Sequence, residues 1–144
     1  MTDNESIFRI LTDGGFSLVV RTSDGETLTF NGRGVLDIYS LLTRTPEKLK
    51  GATVADRAVG LGAAVVMAIG QIASLITPVV SADAYDLLIK HGITVEAENI
   101  APFIINRAGT GRCPLEERLA PLGTESLEKL SAEIGEFLRE KGLL

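Results

Sequence analysis

The chain has 144 residues, of which 45% are hydrophobic and 23% charged, with one cysteine and one histidine. This composition excludes a disordered chain and predicts one globular domain over residues 1–144. The net charge of −5, without a run of lysines or arginines, excludes a nucleic-acid-binding surface, and the single cysteine excludes an internal disulfide.

The first half of the chain predicts a helix, a hairpin and a second helix. Residues 5–12 have a helical pattern that stops before two glycines. Two strands, residues 16–21 and 26–30, flank Asp24-Gly25, a strong hairpin-turn signal. Apolar residues at helical spacing follow over residues 35–42, and a short linker covers residues 46–51. The acidic start of the chain lacks the pattern of a signal peptide, which together with the lone cysteine favours a cytoplasmic protein.

No charged residue occurs from Ala58 through Ala82, a stretch long enough to cross a bilayer. Its three glycines, together with Gln71 and Pro78, are poorly suited to a membrane helix, so we expect no membrane association. The stretch divides better into a buried helix over residues 58–69, capped by Thr53 or Asp56, and a buried strand over residues 73–80.

The rest of the chain predicts two more strands and three helices. Ser81 caps a helix that runs to Lys90, and strand patterns follow at residues 93–97 and 103–105. A short helix over residues 114–119 precedes an amphipathic helix over residues 126–141. This order indicates an α/β domain with three layers, in which a mixed sheet starts with a hairpin and helices cover both faces.

The segment from Asn106 to Glu117 has the strongest character of a site. Its Gly-Thr-Gly sequence permits backbone angles that point successive N–H groups toward an anion. Cys113, Pro114 and Glu116 then fit the N-cap, N1 and N3 positions of a helix. The predicted ligand-binding residues are Asp56, Arg57, Asn106, Arg107, Gly109, Thr110, Gly111, Arg112 and Glu116. The alternative is a tight turn whose arginines pair with neighbouring carboxylates.

Cys113 is the candidate catalytic residue. A thiol at a helix N-terminus, activated by Arg112 or Arg107, is placed to act as a thiolate nucleophile. The alternative is a small buried side chain that only caps the helix, because no general base is evident in the sequence. Asp56-Arg57 has a similar alternative, a first-turn acid stabilised by the helix dipole.

The element order resembles the cytidine deaminase-like fold, and specifically an uncharacterised bacterial branch that lacks zinc. Two segments carry the resemblance, residues 56–64 (DRAVGLGAA) and residues 106–116 (NRAGTGRCPLE). Deaminases of this fold hold zinc with a His or Cys at one helix start and two Cys at the next. The corresponding positions here, residues 60–63 and 80–83, offer no ligand. One histidine and one cysteine cannot build that site, so zinc-dependent deamination is excluded and no cofactor is expected.

The sequence is compatible with three functions. The first is a protein that binds a small anionic or nucleotide-like ligand on a metal-free deaminase-like scaffold. The second is a cysteine-dependent enzyme that uses Cys113, and the third is an assembly protein, for example a homo-oligomer, without pocket chemistry. The loop chemistry favours the first, with a small molecule as the expected partner.

Overall fold

The protein contains a five-stranded mixed sheet. The computed structural model describes residues 2–105 and 109–144, and the predicted site residues Asn106 and Arg107 lie outside them. The strands are β1 (Leu18–Arg21), β2 (Thr27–Phe30), β3 (Thr53–Asp56), β4 (Ser74–Ser81) and β5 (Thr94–Ala101). Their order across the sheet is β2-β1-β3-β4-β5. Strand β1 is antiparallel to both neighbours, whereas β3, β4 and β5 are parallel.

Helices cover both faces of this sheet, which confirms the predicted fold class. They are α1 (Asp3–Gly14), α2 (Leu36–Arg44), α3 (Leu61–Gly70), α4 (Ala82–Lys90), α5 (Pro114–Leu119) and α6 (Leu127–Glu140). Helix α1 packs against β1, β3 and β4 on one face. The larger core lies on the other face and joins the sheet to the remaining helices. Helices α5 and α6 reach this core by packing against α3.

Local signals explain most of these elements. Thr2 and Glu5 form a capping box at the start of α1, and Ser81 caps α4 through the N–H of Ala84. Gly25 adopts a φ of 92° in the turn between β1 and β2. Eight of the ten residues of α3 are buried, in agreement with its apolar sequence.

The prediction that Thr53 or Asp56 caps the buried helix is wrong. Residues 53–56 form β3, which pairs with β1 on one side and β4 on the other. After a bend at Arg57, Val59 bridges Val80, and α3 begins only at Leu61 after Gly60. Pairing with two neighbouring strands overrides the local helix-start signal, because each side of β3 gains a ladder of backbone hydrogen bonds.

The prediction of a strand over residues 103–105 is also wrong. Strand β5 is longer than predicted and ends at Ala101, and beyond it Ile105 makes one isolated bridge, to Arg112. Among the residues that the structure describes, no helix has both the length and the apolar character needed to cross a membrane.

The strand assignment of β3 predicts the effect of charged substitutions. Val54 and Ala55 are both fully buried, Val54 in the larger core and Ala55 in the smaller core under α1. Val54→Asp and Ala55→Asp should each lower the free energy of unfolding by more than about 3 kcal/mol, because either one buries an unpaired charge. Chemical denaturation measures this effect. The control, Ala73→Asp at an exposed position outside the cavity, should stay within about 0.5 kcal/mol of the wild type. A strong effect at Ala73 with a weak one at Val54 would contradict the assignment.

Candidate functional site

A cavity of about 800 Å³ lies at the carboxyl end of β3. Its wall comes from the end of β3, the loop before α2, the start of α3, the start of α5 and the C-terminal end of α6. We call it the end cavity. Open α/β sheets usually bind ligands beyond the carboxyl ends of their parallel strands, and a volume of this size suits a small organic molecule.

The lining of the end cavity combines apolar walls with charged groups. The apolar part includes Val35, Ile38, Ile104, Leu115, Phe137 and Leu138. Three carboxyl groups, those of Asp37, Asp56 and Glu116, also line it. Arg33, Arg57 and Lys141 contribute positive charge, and all three are exposed residues. The acidic groups therefore stand among apolar walls, while the basic residues stand toward solvent.

Asp56 is the last residue of β3 and has the most perturbed carboxyl group of the cavity. Burial raises the pKa of Asp56 to about 7, and the charge of Asp37 adds to the rise. Hydrogen bonds from the backbone of Ala58 and Arg57 oppose this shift without cancelling it. Near neutral pH this carboxyl group is thus divided between its acid and its carboxylate, a state common at functional sites.

Asp37 holds the loop before α2 in place. Its Oδ2 accepts a hydrogen bond from the backbone N–H of Gly32, with an N···O distance of 2.7 Å. The contact joins the first turn of α2 to the loop that follows β2, and both segments line the cavity.

Glu116 connects α5 to the start of α3. Its Oε1 lies 2.6 Å from the backbone nitrogen of Leu61 and its Oε2 lies 3.2 Å from that of Gly62. These two N–H groups have no acceptor within the helix and lie at the positive end of α3, so a carboxylate is well placed to bind them. Burial nevertheless raises the pKa of Glu116, and its hydrogen bonds to Leu61 and Gly62 oppose the rise. Gly60 makes room for the carboxylate, because a Cβ there would lie 2.5 Å from the Glu116 Cδ.

Arg57 lines the cavity, but its guanidinium donates hydrogen bonds to backbone carbonyl groups of another segment. Its Nε donates to the carbonyl oxygen of Phe16 at 2.7 Å, and its Nη2 donates to that of Leu11 at 3.0 Å. These bonds tie the end of α1 to the end of β3. The side chain predicted to bind a ligand therefore holds two carbonyl groups of the protein itself.

The glycine loop does not line the end cavity. Residues 109–112 are exposed, and the Arg112 guanidinium stacks over the Phe103 ring at 4.7 Å from its centroid. Cys113, by contrast, lines the cavity at the N-cap of α5 and is only partly exposed. Within the described ranges, the predicted site residues that meet at the cavity are Asp56, Arg57, Cys113 and Glu116.

Sequence reasoning missed several lining residues. Arg33 and Asp37 follow β2, and a signal for them exists in Gly32-Arg33-Gly34, a glycine pair of the same kind as in the 109–111 loop. Phe137 and Lys141 come from α6 and the residue after it, and nothing in the sequence distinguishes them from the rest of an amphipathic helix.

Other charged groups near the site have structural roles. Asp83 Oδ1 accepts from the Ser81 hydroxyl at 2.6 Å and from the Ala84 N–H at 2.8 Å, as expected for an acid in a first helical turn. Over residues 2–105 and 109–144, no group of three or more His, Cys, Asp or Glu side chains is arranged to hold a metal ion.

The fold and the cavity define an α/β protein with a ligand-sized pocket at the end of its sheet. The chain belongs to the TM1506 family, described as a domain of unknown function (DUF1893), whose family model matches residues 6–138. The crystal structure of a DUF1893 family protein (TM1506) from Thermotoga maritima matches with a TM-score of 0.81 and 21% identity, over 94% of this chain and 91% of that chain. This likeness shows a shared fold. No curated protein matches the chain.

The Glu116 contact predicts a specific loss of stability. Glu116→Ala should lower the free energy of unfolding by about 1–2 kcal/mol, because it leaves the Leu61 and Gly62 N–H groups without their acceptor. The neighbouring exposed residue provides the control: Glu117→Ala should change the free energy of unfolding by less than about 0.5 kcal/mol. Urea denaturation of the two variants measures the difference. Equal effects at both positions would refute the capping role.

The raised pKa of Asp56 predicts a pH-dependent effect of Asp56→Asn. The folded protein binds a proton that the unfolded chain releases near pH 4, so the wild type loses stability as pH rises from about 4 to about 7. The asparagine variant lacks this loss. Its stability relative to the wild type should therefore be greater at pH 8 than at pH 5, by about 2 kcal/mol after allowance for partial exposure of the group.

Thermal and chemical unfolding at pH 5 and pH 8 check this prediction. Asp13→Asn, at an exposed position on α1, is the control and should show no comparable pH dependence. A relative stability of Asp56→Asn that stays constant, or that falls with rising pH, would be inconsistent with a carboxyl group that is protonated in the fold.

Proposed function

We propose that this protein binds a small organic molecule in the end cavity, and that the ligand is nucleotide-like rather than a simple anion. The observation that carries the proposal is the cavity itself, about 800 Å³ of largely apolar space into which three carboxyl groups and one thiol converge. Pockets with apolar walls and a few convergent polar groups are the usual form of small-molecule sites.

The charges of the described residues favour a ligand with hydrogen-bond donors. Arg57 is engaged by two carbonyl oxygens, and Arg112 stacks on Phe103 away from the cavity. The side chains among the apolar walls are hydrogen-bond acceptors. A flat heterocycle that presents N–H groups suits such acceptors better than a phosphate or carboxylate does. The sequence-based prediction that Asn106, Arg107 and residues 109–112 bind an anion is not part of this proposal, because the described residues of that loop do not line the cavity.

The metal-free deaminase-like scaffold is part of the same proposal. Two observations support it: the mixed sheet begins with a hairpin, and α3 and α4 follow adjacent parallel strands and pack together. The zinc deaminases of this fold place a metal ligand at the corresponding helix start. In this chain the amides at that position bind the Glu116 carboxylate instead.

A cysteine-dependent reaction is the second candidate, because Cys113 lines the same cavity as Asp56 and Glu116. A bound ligand would lie against the thiol in either case. The rate at which a maleimide labels Cys113 therefore reports whether the cavity is occupied, and turnover of a bound compound separates an enzyme from a binding protein.

A screen of nucleosides, nucleobases and small carboxylates by thermal shift tests the proposal. A compound present at about 100 times its dissociation constant should stabilise the fold by about 2.7 kcal/mol and should slow the labelling of Cys113. Ala63→Leu extends a side chain from α3 into the cavity and should abolish both effects. Ala73→Leu makes the same change at an exposed position and should leave both unchanged.

Two results would overturn the proposal. One is a screen in which no compound shifts the melting temperature or protects Cys113. The other is a ligand whose binding is the same in Ala63→Leu as in the wild type, because that ligand binds elsewhere.

A further inference from the structure

We propose that the end cavity selects an organic cation, namely a flat and largely apolar molecule that carries an amidinium-type group paired with the carboxyl groups of Asp56 and Asp37. This inference rests on the proposed function and names the chemical class of its ligand. It departs from the anionic ligand that the glycine loop predicts.

The charge balance of the lining is the first argument. Three carboxylates line the cavity, and none of them forms an ion pair with another described residue: Asp37, Asp56 and Glu116. Among the described cations that line the cavity, Arg57 is bound to two carbonyl oxygens, Lys141 lies over the Phe137 ring, and Arg33 is an exposed residue. Partly desolvated carboxyl groups that form no ion pair with the described residues are costly to the fold, and a bound cation would offset that cost.

The hydrogen-bonding capacity of the two aspartates is the second argument. The structure gives Asp37 one bond, from the Gly32 N–H to Oδ2. Among the described residues, the backbone groups of Arg57 and Ala58 donate to Asp56. A carboxylate offers about four lone-pair sites, so both groups can accept further donors. An amidinium presents two parallel N–H donors, which match a carboxylate in the same bidentate manner as an arginine does.

Glu116 has a different place in this arrangement. Each of its oxygens is already bonded to one backbone N–H at the start of α3, at 2.6 Å and 3.2 Å. Glu116 therefore adds negative charge to the cavity, while both of its oxygens already accept hydrogen bonds from the protein backbone. The nearby Asp83 adds to that charge, since it raises the pKa of Glu116.

The apolar wall supplies the third argument, which concerns shape. Ile38 from α2 faces the same space as Phe137 and Leu138 from α6. Aromatic and aliphatic side chains of this kind bury a flat ring well, whereas a small hydrated cation would gain nothing from them. The combination of acid groups with apolar walls therefore fits an aryl amidinium better than ammonium or an inorganic ion.

Three isosteric probes test the inference, namely benzamidine as the cation, benzamide as the neutral analogue and benzoate as the anion. Isothermal titration calorimetry at up to about 10 mM probe covers the affinity range expected of such small molecules. At pH 8, benzamidine should bind at least about tenfold more tightly than benzamide, and benzoate should bind more weakly than either.

Substitution and pH provide the controls. Asp56→Asn should weaken benzamidine binding by about tenfold or more and leave benzamide binding within about twofold, whereas Asp13→Asn should change neither. The pKa of Asp56, raised to about 7, predicts that benzamidine affinity increases about tenfold from pH 6 to pH 8. Other charged groups also line this site, namely Asp37, Glu116, Arg33, Arg57 and Lys141. The pH dependence of benzamidine affinity is therefore measured in both the wild type and Asp56→Asn, and the difference between them is assigned to Asp56.

The outcomes separate this inference from the proposed function. Benzoate binding as tight as that of benzamidine, or benzamidine binding that Asp56→Asn does not weaken, overturns the inference. So does an absence of binding by benzamidine. If a compound from the screen still binds in a manner that Ala63→Leu abolishes, the cavity remains a ligand site of other chemistry. If Ala63→Leu abolishes the binding of no compound in the screen, both the inference and the proposed function fail.

Discussion

The site depends on one contact, the Glu116 carboxylate on the first amides of α3. This contact joins the C-terminal third of the chain to the middle of the fold. It needs close packing of α5 against α3, and two glycines allow it. A Cβ at Gly60 would overlap the Glu116 carboxylate, and a Cβ at Gly62 would lie 2.7 Å from Leu115 Cδ2. Because α5 forms a wall of the end cavity, the shape of the cavity follows from this packing.

The same contact occupies the start of α3. The N-terminus of a helix attracts negative charge, because its first N–H groups have no partner within the helix. In this protein the charge comes from a side chain of the chain itself. The amides at the start of α3 therefore already have an acceptor, and the carboxyl groups of Asp56 and Asp37 lie nearby among apolar side chains at the end of β3. Carboxyl groups in such surroundings oppose folding, which is common where residues serve a ligand rather than stability.

Elements with local signals could be predicted from the sequence, and elements made by distant contacts could not. The capped helix α4 and the hairpin turn at Gly25 are each determined by residues adjacent in the sequence. Strand β3 has only four residues, and it is a strand because β1 and β4 pair with it. For the site, the sequence predicted Glu116 and Asp56 as ligand-binding residues, and both line the end cavity. It could not reveal that Glu116 bonds to a residue 55 positions earlier, or that Arg57 is held by the carbonyl of Leu11.

The state of the Asp56 carboxyl group is the most direct test of this account, because the account requires a cavity that desolvates its acids. Carboxyl ¹³C chemical shifts, recorded by NMR from pH 4 to pH 9 and assigned with Asp56→Asn, give its pKa without unfolding the protein. The account predicts a midpoint for Asp56 of about 7. A midpoint near 3.9, the ordinary value for aspartate in water, would contradict it.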